Sequence, residues 1–255
     1  MDTRYWGPSG WRLLHLISFA GKSKHLRDFF ETISYILPCK YCRKSFSEYI
    51  LADPIPTSPH ELPKWLWRVH NDVNAKLRAQ RLPTAPDPPF QKVENIYVSR
   101  LELGCTRTVF EGWEFLFSVA ESHPLSRISS ASTPVQGHPP ADTIQDPLEK
   151  NRWNLLSPTE RLFYYNRFWK LLPDVLPFPE WTRSWKRANG QRTVATMCRV
   201  KCLKDLWAIR RKMEDELELL NSTTYKHLCK ELQQYRSGCS SSMRGKTCRK
   251  KRGSS

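Results

Sequence analysis

The residues of this chain whose type and spacing could most directly do chemistry are Cys39-Lys40-Tyr41-Cys42. A C-x-x-C can be half of a zinc site, a redox disulfide or a chance pairing. A zinc site needs a second ligand pair at workable distance. Cys198 and Cys202 are nearest in kind, but three residues separate them and they lie far along the chain, while His70 or Cys105 could complete a site only through the fold. A thioredoxin-like site needs a β-α-β context, which the sequence lacks. The local physics favours redox. The pair follows Pro38 and opens a helix, so Cys39 should sit at a positive dipole end whose free N–H groups stabilise a thiolate. Lys40, Arg43 and Lys44 add positive charge. Two intervening residues on a helical turn let the sulfurs meet in a small, reducible disulfide ring.

Helical periodicity dominates the elements that must position this pair. Pro8 suits a first helical position, with Trp11, Leu14, His15 and Ser18 following at spacings of three and four. A second helix is expected from about His25 to Tyr35. A third begins near Cys39 and carries Phe46, Tyr49 and Ile50. Residues 53–59 read as a loop, after which Ser58 could cap a helix with Pro63 in its first turn. That helix presents Leu66, Val69, His70, Val73, Asn74 and Leu77. Residues 82–89 hold four prolines, and two more helices are expected around Phe90–Leu101 and Glu111–Ala120. No stretch alternates convincingly as a strand. The fold class is all-α, a helical bundle over residues 1–122. Residues 123–147 read as a Ser/Pro-rich linker. A second compact, basic, aromatic-rich helical domain spans 148–236, with a long helix from Val194 to Leu220 placing Cys202, Leu206, Ile209, Met213, Leu217 and Leu220 on one face. Residues 237–255 form a basic tail expected to be disordered.

The 255 residues carry a formal net charge of +16. Residues 1–122 hold 16 basic and 13 acidic side chains and residues 123–255 hold 25 and 12, so the basicity belongs to the second half. A partner for that half and its tail would be polyanionic, such as nucleic acid or an acidic membrane face; a solvated tail is the equal alternative. With 39% hydrophobic and 12% aromatic residues the chain can bury a core, which excludes wholesale disorder. Its apolar runs fall short of the ~20 residues of a membrane span. No apolar run precedes a cleavage-like site near Met1, so no signal peptide is expected, and the eight cysteines are expected in a reducing compartment, the cytoplasm. Lys250-Lys251-Arg252 could also serve as a nuclear address.

Three motifs then occur in order. They are Trp6-Gly7-Pro8-Ser9-Gly10-Trp11-Arg12-Leu13-Leu14-His15, then Pro38-Cys39-Lys40-Tyr41-Cys42 with Phe46, then His70-Asn71-Asp72-Val73-Asn74-Ala75-Lys76-Leu77. Together they resemble the Erv/ALR family of FAD-linked sulfhydryl oxidases, whose pattern joins a W-x-x-L-H helix, a P-C-x-x-C helix start and an H-N-x-V-N-x-x-L helix. The likeness covers roughly residues 5–80, extends toward Pro124, and is greatest to versions carried by large DNA viruses. It implies a four-helix core with a short extra helix holding FAD. It also implies Cys42 toward the flavin and Cys39 as the interchange cysteine, attacked by an incoming thiolate. Gly7, Trp11 and His15 would form one cofactor wall. His70, Asn71, Val73, Asn74 and Leu77 would form another, with Lys76, Arg78 or Arg81 against the pyrophosphate. Electrons would pass from protein dithiols through Cys39–Cys42 to FAD and then O2, giving H2O2; relatives dimerise, so a homodimer is expected, and no metal is.

The chain departs from the pattern in two places. Pro8 stands where a basic residue often follows the glycine, and no cysteine lies between 43 and 104, where a bracing disulfide is usual. A shuttle cysteine pair would have to lie downstream, at Cys198 and Cys202, at Cys229 and Cys239, or at Cys248. The competing function class is a non-enzymatic basic protein that binds nucleic acid or is structural, its C-x-x-C holding metal or bracing the fold.

Overall fold

The computed structural model describes residues 1–21, 23–126, 133–190, 193–194 and 198–236, and every regular element among them is helical. The first half contains Thr3–Ala20 (α1), Leu26–Ile36 (α2), Lys40–Ala52 (α3), Leu62–Ala79 (α4), Phe90–Glu102 (α5) and Trp113–Glu121 (α6). The second contains Pro147–Arg152 (α7), Pro158–Val175 (α8), Pro179–Asn189 (α9), Arg199–Leu217 (α10) and Tyr225–Gln234 (α11).

Side chains at the helix ends explain most boundaries. The Asp2 carboxylate accepts from the Arg4 N–H at 2.9 Å and starts α1, while Gly21 closes it in the left-handed region at φ 60°. Pro8 therefore lies inside α1 rather than at its start. The Asp2 cap and the burial of Trp6 outweigh the one backbone bond that a proline removes. Ser157 and Glu160 form a reciprocal capping box at α8, with Pro158 in the first turn. The long helix expected from Val194 to Leu220 is shorter, because Glu218 adopts a left-handed conformation at its end. Cys202, Leu206, Ile209, Met213 and Leu217 are buried as expected, but Leu220, past that end, is exposed.

In the first half α1 packs against α4, α5 and α6, and α3 against α2 and α4. The approach of α6 to α1 depends on glycine, since a Cβ on Gly112 would lie 2.7 Å from Leu13 Cδ2. The core then runs across the boundaries expected at 123–147. Phe29 of α2 stacks on Phe168 of α8 with centroids 5.4 Å apart, and Tyr35 stacks on Tyr164 at 3.6 Å. α7 packs on α3, and α10 packs on both α9 and α6. Parts of the expected linker belong to this packing: His123 and Val135 are buried, and Ala141–Thr143 form a single 3-10 turn. No helix among the described residues is long and apolar enough to cross a membrane. The basic tail, with Cys239 and Cys248, lies outside the described residues.

Candidate active site

Cys39 is the residue that begins α3. Its extended backbone (φ −119°, ψ 128°) follows Pro38, and its carbonyl accepts from the N–H groups of Cys42 and Arg43, both at 3.0 Å. Both cysteines are half-buried free thiols. The Cys39 thiol is pulled down to about 5, chiefly by a hydrogen bond from Cys42 and against the cost of burial. Backbone bonds from Cys42 and Tyr41 and the charge of Arg43 add to the effect. The expected help from the lysines takes another form. Lys40 donates to the Thr133 hydroxyl at 2.8 Å, and Lys44 pairs with Glu48 and lies over the Trp153 ring.

Behind the pair opens a cavity of about 680 Å³, walled by α1, α3 and α4 and closed by Tyr97 of α5 and Phe115 of α6. Cys42 lines it and Cys39 does not. Phe46, buried and packed edge-on against Trp65, also lines the cavity and anchors α3 in the core. Trp65 in turn donates to the Asp53 carbonyl at 2.9 Å and ties the α3–α4 loop to α4. The spacing of α4 residues brings His70, Val73, Asn74 and Leu77 to one face, and all four line the cavity with Gly7, Trp11 and Lys76. Trp11 stacks flat on His70, with centroids 4.0 Å apart and an interplanar angle of 8°.

His15 does not line the cavity but backs this wall. Its Nε2 is 3.2 Å from His70 Nδ1, and its ring stacks on Tyr97 at 5.0 Å. Burial, joined by the neighbouring His70, holds His15 down at about 3, and burial holds His70 at about 4. Both rings are therefore neutral near pH 7, and one donates to the other. Among the described residues, His15 Nδ1 and the indole N–H of Trp6, which lines the cavity, are buried without a hydrogen-bond partner.

Two expected contacts fall elsewhere. Asn71 does not reach the cavity, and Arg78 turns outward to pair with Asp87 in the proline-rich loop. Asn74 lines the cavity, but its amide is already committed to Asp87 at 2.8 Å. Lys76 lines it and donates to the Ser45 hydroxyl. The sequence reading missed Tyr49, Tyr97 and Arg12. Arg12, exposed at the rim, has no carboxylate partner among the described residues. Its signal was present one residue after Trp11, while Tyr97 is brought in only by the packing of α5 on α1. A flat, largely apolar group with an anionic end suits this space, held by stacked rings and met at the rim by Lys76 and Arg12.

The other cysteine pair is built differently. Cys198 begins α10 and is exposed, while Cys202 is fully buried with its sulfur 3.1 Å from the Tyr165 hydroxyl. Burial pushes the Cys202 thiol up to about 12. No group of three or more His, Cys, Asp or Glu side chains among the described residues could hold a metal ion.

Comparison with known proteins meets this geometry. Residues 8–95 match the model of the Erv1 / Alr family. The mitochondrial FAD-linked sulfhydryl oxidase ERV1 of Saccharomyces cerevisiae is 34% identical over 85 residues, which are 30% of this chain and 45% of that protein. A probable FAD-linked sulfhydryl oxidase of Acanthamoeba polyphaga mimivirus is 31% identical over 85 residues, 29% of this chain and 59% of the relative. A putative FAD-linked sulfhydryl oxidase of invertebrate iridescent virus 3 is 29% identical over 93 residues, 32% of this chain and 62% of the relative. The chain thus spans about half the length of the curated relatives it matches, and no solved structure matches it. Residues 8–95, which match the Erv1 / Alr family model, carry the C-x-x-C and most of the cavity wall.

Proposed function

We propose that the chain is an FAD-linked sulfhydryl oxidase that makes disulfides in protein substrates. The observation that carries this reading is the division of labour in the C-x-x-C: Cys42 borders the cavity and Cys39 lies outside it. The residues present fit the cofactor. The cavity offers an apolar slot, a stacked Trp11–His70 wall, an unpartnered Trp6 N–H and cations at Lys76 and Arg12. Bound there, FAD supplies a two-electron acceptor that returns to its oxidised form with O2, yielding H2O2.

In this reading a substrate thiolate attacks Cys39 Sγ, the Cys39–Cys42 bond breaks, and Cys42 leaves as a thiolate on the cavity wall. The second substrate thiolate then releases the mixed disulfide, and Cys39 leaves as the better leaving group of the pair because its thiol is held at about 5. Trp11 and His70 orient the ring system, and the neutral His15–His70 pair keeps that wall free of positive charge near pH 7. Substrates are cysteine pairs in proteins, met in a reducing compartment. A homodimer would need a face other than that of α2 occupied by α8 of the same chain. The burial of Cys202 speaks against a Cys198–Cys202 shuttle.

The test is an absorbance spectrum with oxygen uptake on dithiothreitol. Wild type should be yellow and consume oxygen, and Cys39→Ser and Cys42→Ser should keep the colour and lose the uptake. A colourless protein after refolding with excess FAD would overturn the reading.

A further inference from the structure

Behind the C-x-x-C lie two buried guanidinium groups without acids. Arg43 is 1% exposed and Arg161, on α8, is 5% exposed. Neither has a carboxylate within ion-pair distance among the described residues, and the Nε of each is buried without a partner. They are close enough that Arg43 lowers the basicity of Arg161, after burial, which is the larger cause. Burying an uncompensated cation is costly, so such an arrangement implies a counter-charge that is present part of the time. The anions within electrostatic range of Arg43 are the sulfurs of Cys39 and Cys42 themselves.

Neutral groups fix the guanidinium in place. Arg43 Nη1 donates to the Leu37 carbonyl at 2.8 Å and Nη2 donates to Asn154 Oδ1 at 2.7 Å. Asn154 comes from the second half of the chain and sits in the left-handed region at φ 57°, which asparagine tolerates better than most residues. Its own amide donates to the Thr133 carbonyl at 2.8 Å, and Thr133 receives Lys40 from the C-x-x-C. An aspartate at position 154 would have held Arg43 as well but would have neutralised it.

We propose that Arg43, held by the positioning residue Asn154 and backed by Arg161, is a fixed counter-charge for the thiolate that appears when the Cys39–Cys42 bridge opens, so that the second half of the chain sets the oxidising power of the pair. The inference rests on the reading of Cys39–Cys42 as a redox pair. The step balances: a substrate dithiol loses two electrons and two protons and becomes a disulfide, while the Cys39–Cys42 bond breaks. One enzyme sulfur takes one proton, the other remains a thiolate within electrostatic range of Arg43, and the second proton goes to solvent. The other titratable groups in range of the sulfurs are the Met1 amine and Tyr49. Burial lowers the first and raises the second, to about 12.

The experiment uses the full chain, reduced without oxygen. It reads the pH profile of iodoacetamide alkylation at Cys39 and the position of the Cys39–Cys42 bridge in glutathione buffers, both by mass spectrometry. Arg43→Gln should slow alkylation at pH 4 about tenfold and shift the glutathione equilibrium at pH 7 about tenfold toward the bridge, the effect of one pKa unit. Arg43→Lys should restore most of both. Asn154→Asp, nearly identical in shape, should shift both in the same direction as Arg43→Gln, and it decides the matter if Arg43→Gln does not fold. Folded variants within twofold of wild type in both readouts would overturn the proposal, as would Arg43→Lys behaving like Arg43→Gln, which would mean shape rather than charge. Neither readout needs flavin or O2. A colourless protein with these shifts would sink the oxidase reading alone, and a yellow oxidase without them would sink this inference alone.

Discussion

Two cysteine pairs each open a helix here, and their environments set them apart. Cys39 starts α3 and Cys198 starts α10, both with extended backbone, so both helices offer the same free N–H groups to the first sulfur. In the first pair the second cysteine faces a cavity, and a buried guanidinium stands nearby. In the second pair Cys202 is sealed in the core against a tyrosine hydroxyl, and its thiol moves up to about 12 while that of Cys39 moves down to about 5. A cysteine pair at a helix start is therefore not by that alone a redox pair. Access, and the charge that burial leaves unpaired, decide it.

The comparison can be broken most directly by turnover. Cys39→Ser or Cys42→Ser should lower dithiothreitol-driven oxygen uptake by roughly 1000-fold or more, whereas Cys202→Ser should leave it within about twofold. Equal losses would erase the distinction. Alkylation sharpens it. On the reduced chain at pH 7, Cys39 should react with iodoacetamide at least about 100-fold faster than Cys202, with its rate falling to half near pH 5 as the thiolate takes up its proton. Trp11→Ala removes the ring stacked on His70 and should weaken flavin retention about tenfold, as measured by dilution and fluorescence. Tyr165→Phe deletes the hydroxyl beside Cys202 and should cost about 1 kcal/mol in urea unfolding without changing turnover.

Acid stability changes as well. His15 and His70 stay neutral in the folded chain down to about 3 and about 4, while in the unfolded chain they take protons below their ordinary 6.5. Between those limits the unfolded state binds more protons, so stability is full above pH 6.5 and falls as pH drops toward 4 and then 3. Urea midpoints at pH 7 and pH 4.5 check the sign, and His15→Gln should flatten the slope.

Much of this site was legible because its parts are local. The C-x-x-C at a helix start and the one-face spacing of His70, Val73, Asn74 and Leu77 follow from helical geometry and recur in the cavity wall. Helix existence was equally readable from apolar spacing, while boundaries shifted where a cap outweighed a proline, as at Asp2 and Pro8. What escaped depends on long-range packing. Arg78 looks like a cavity cation by spacing but is drawn away by Asp87, nine residues on. Asn154 reaches Arg43 across 111 residues, and nothing in either local sequence marks the pair. The division at 123–147 was read from composition, which reports a lack of periodicity and does not report that α8 lies on α2.

The central claim is that Cys42 opens onto a cavity that holds a flavin. Its most direct test is the visible spectrum of the full chain during a dithiothreitol titration without oxygen. The account predicts flavin absorbance that bleaches rapidly in wild type and persists in Cys42→Ser. A protein without that absorbance, or one whose Cys42→Ser variant bleaches at the wild-type rate, would contradict it.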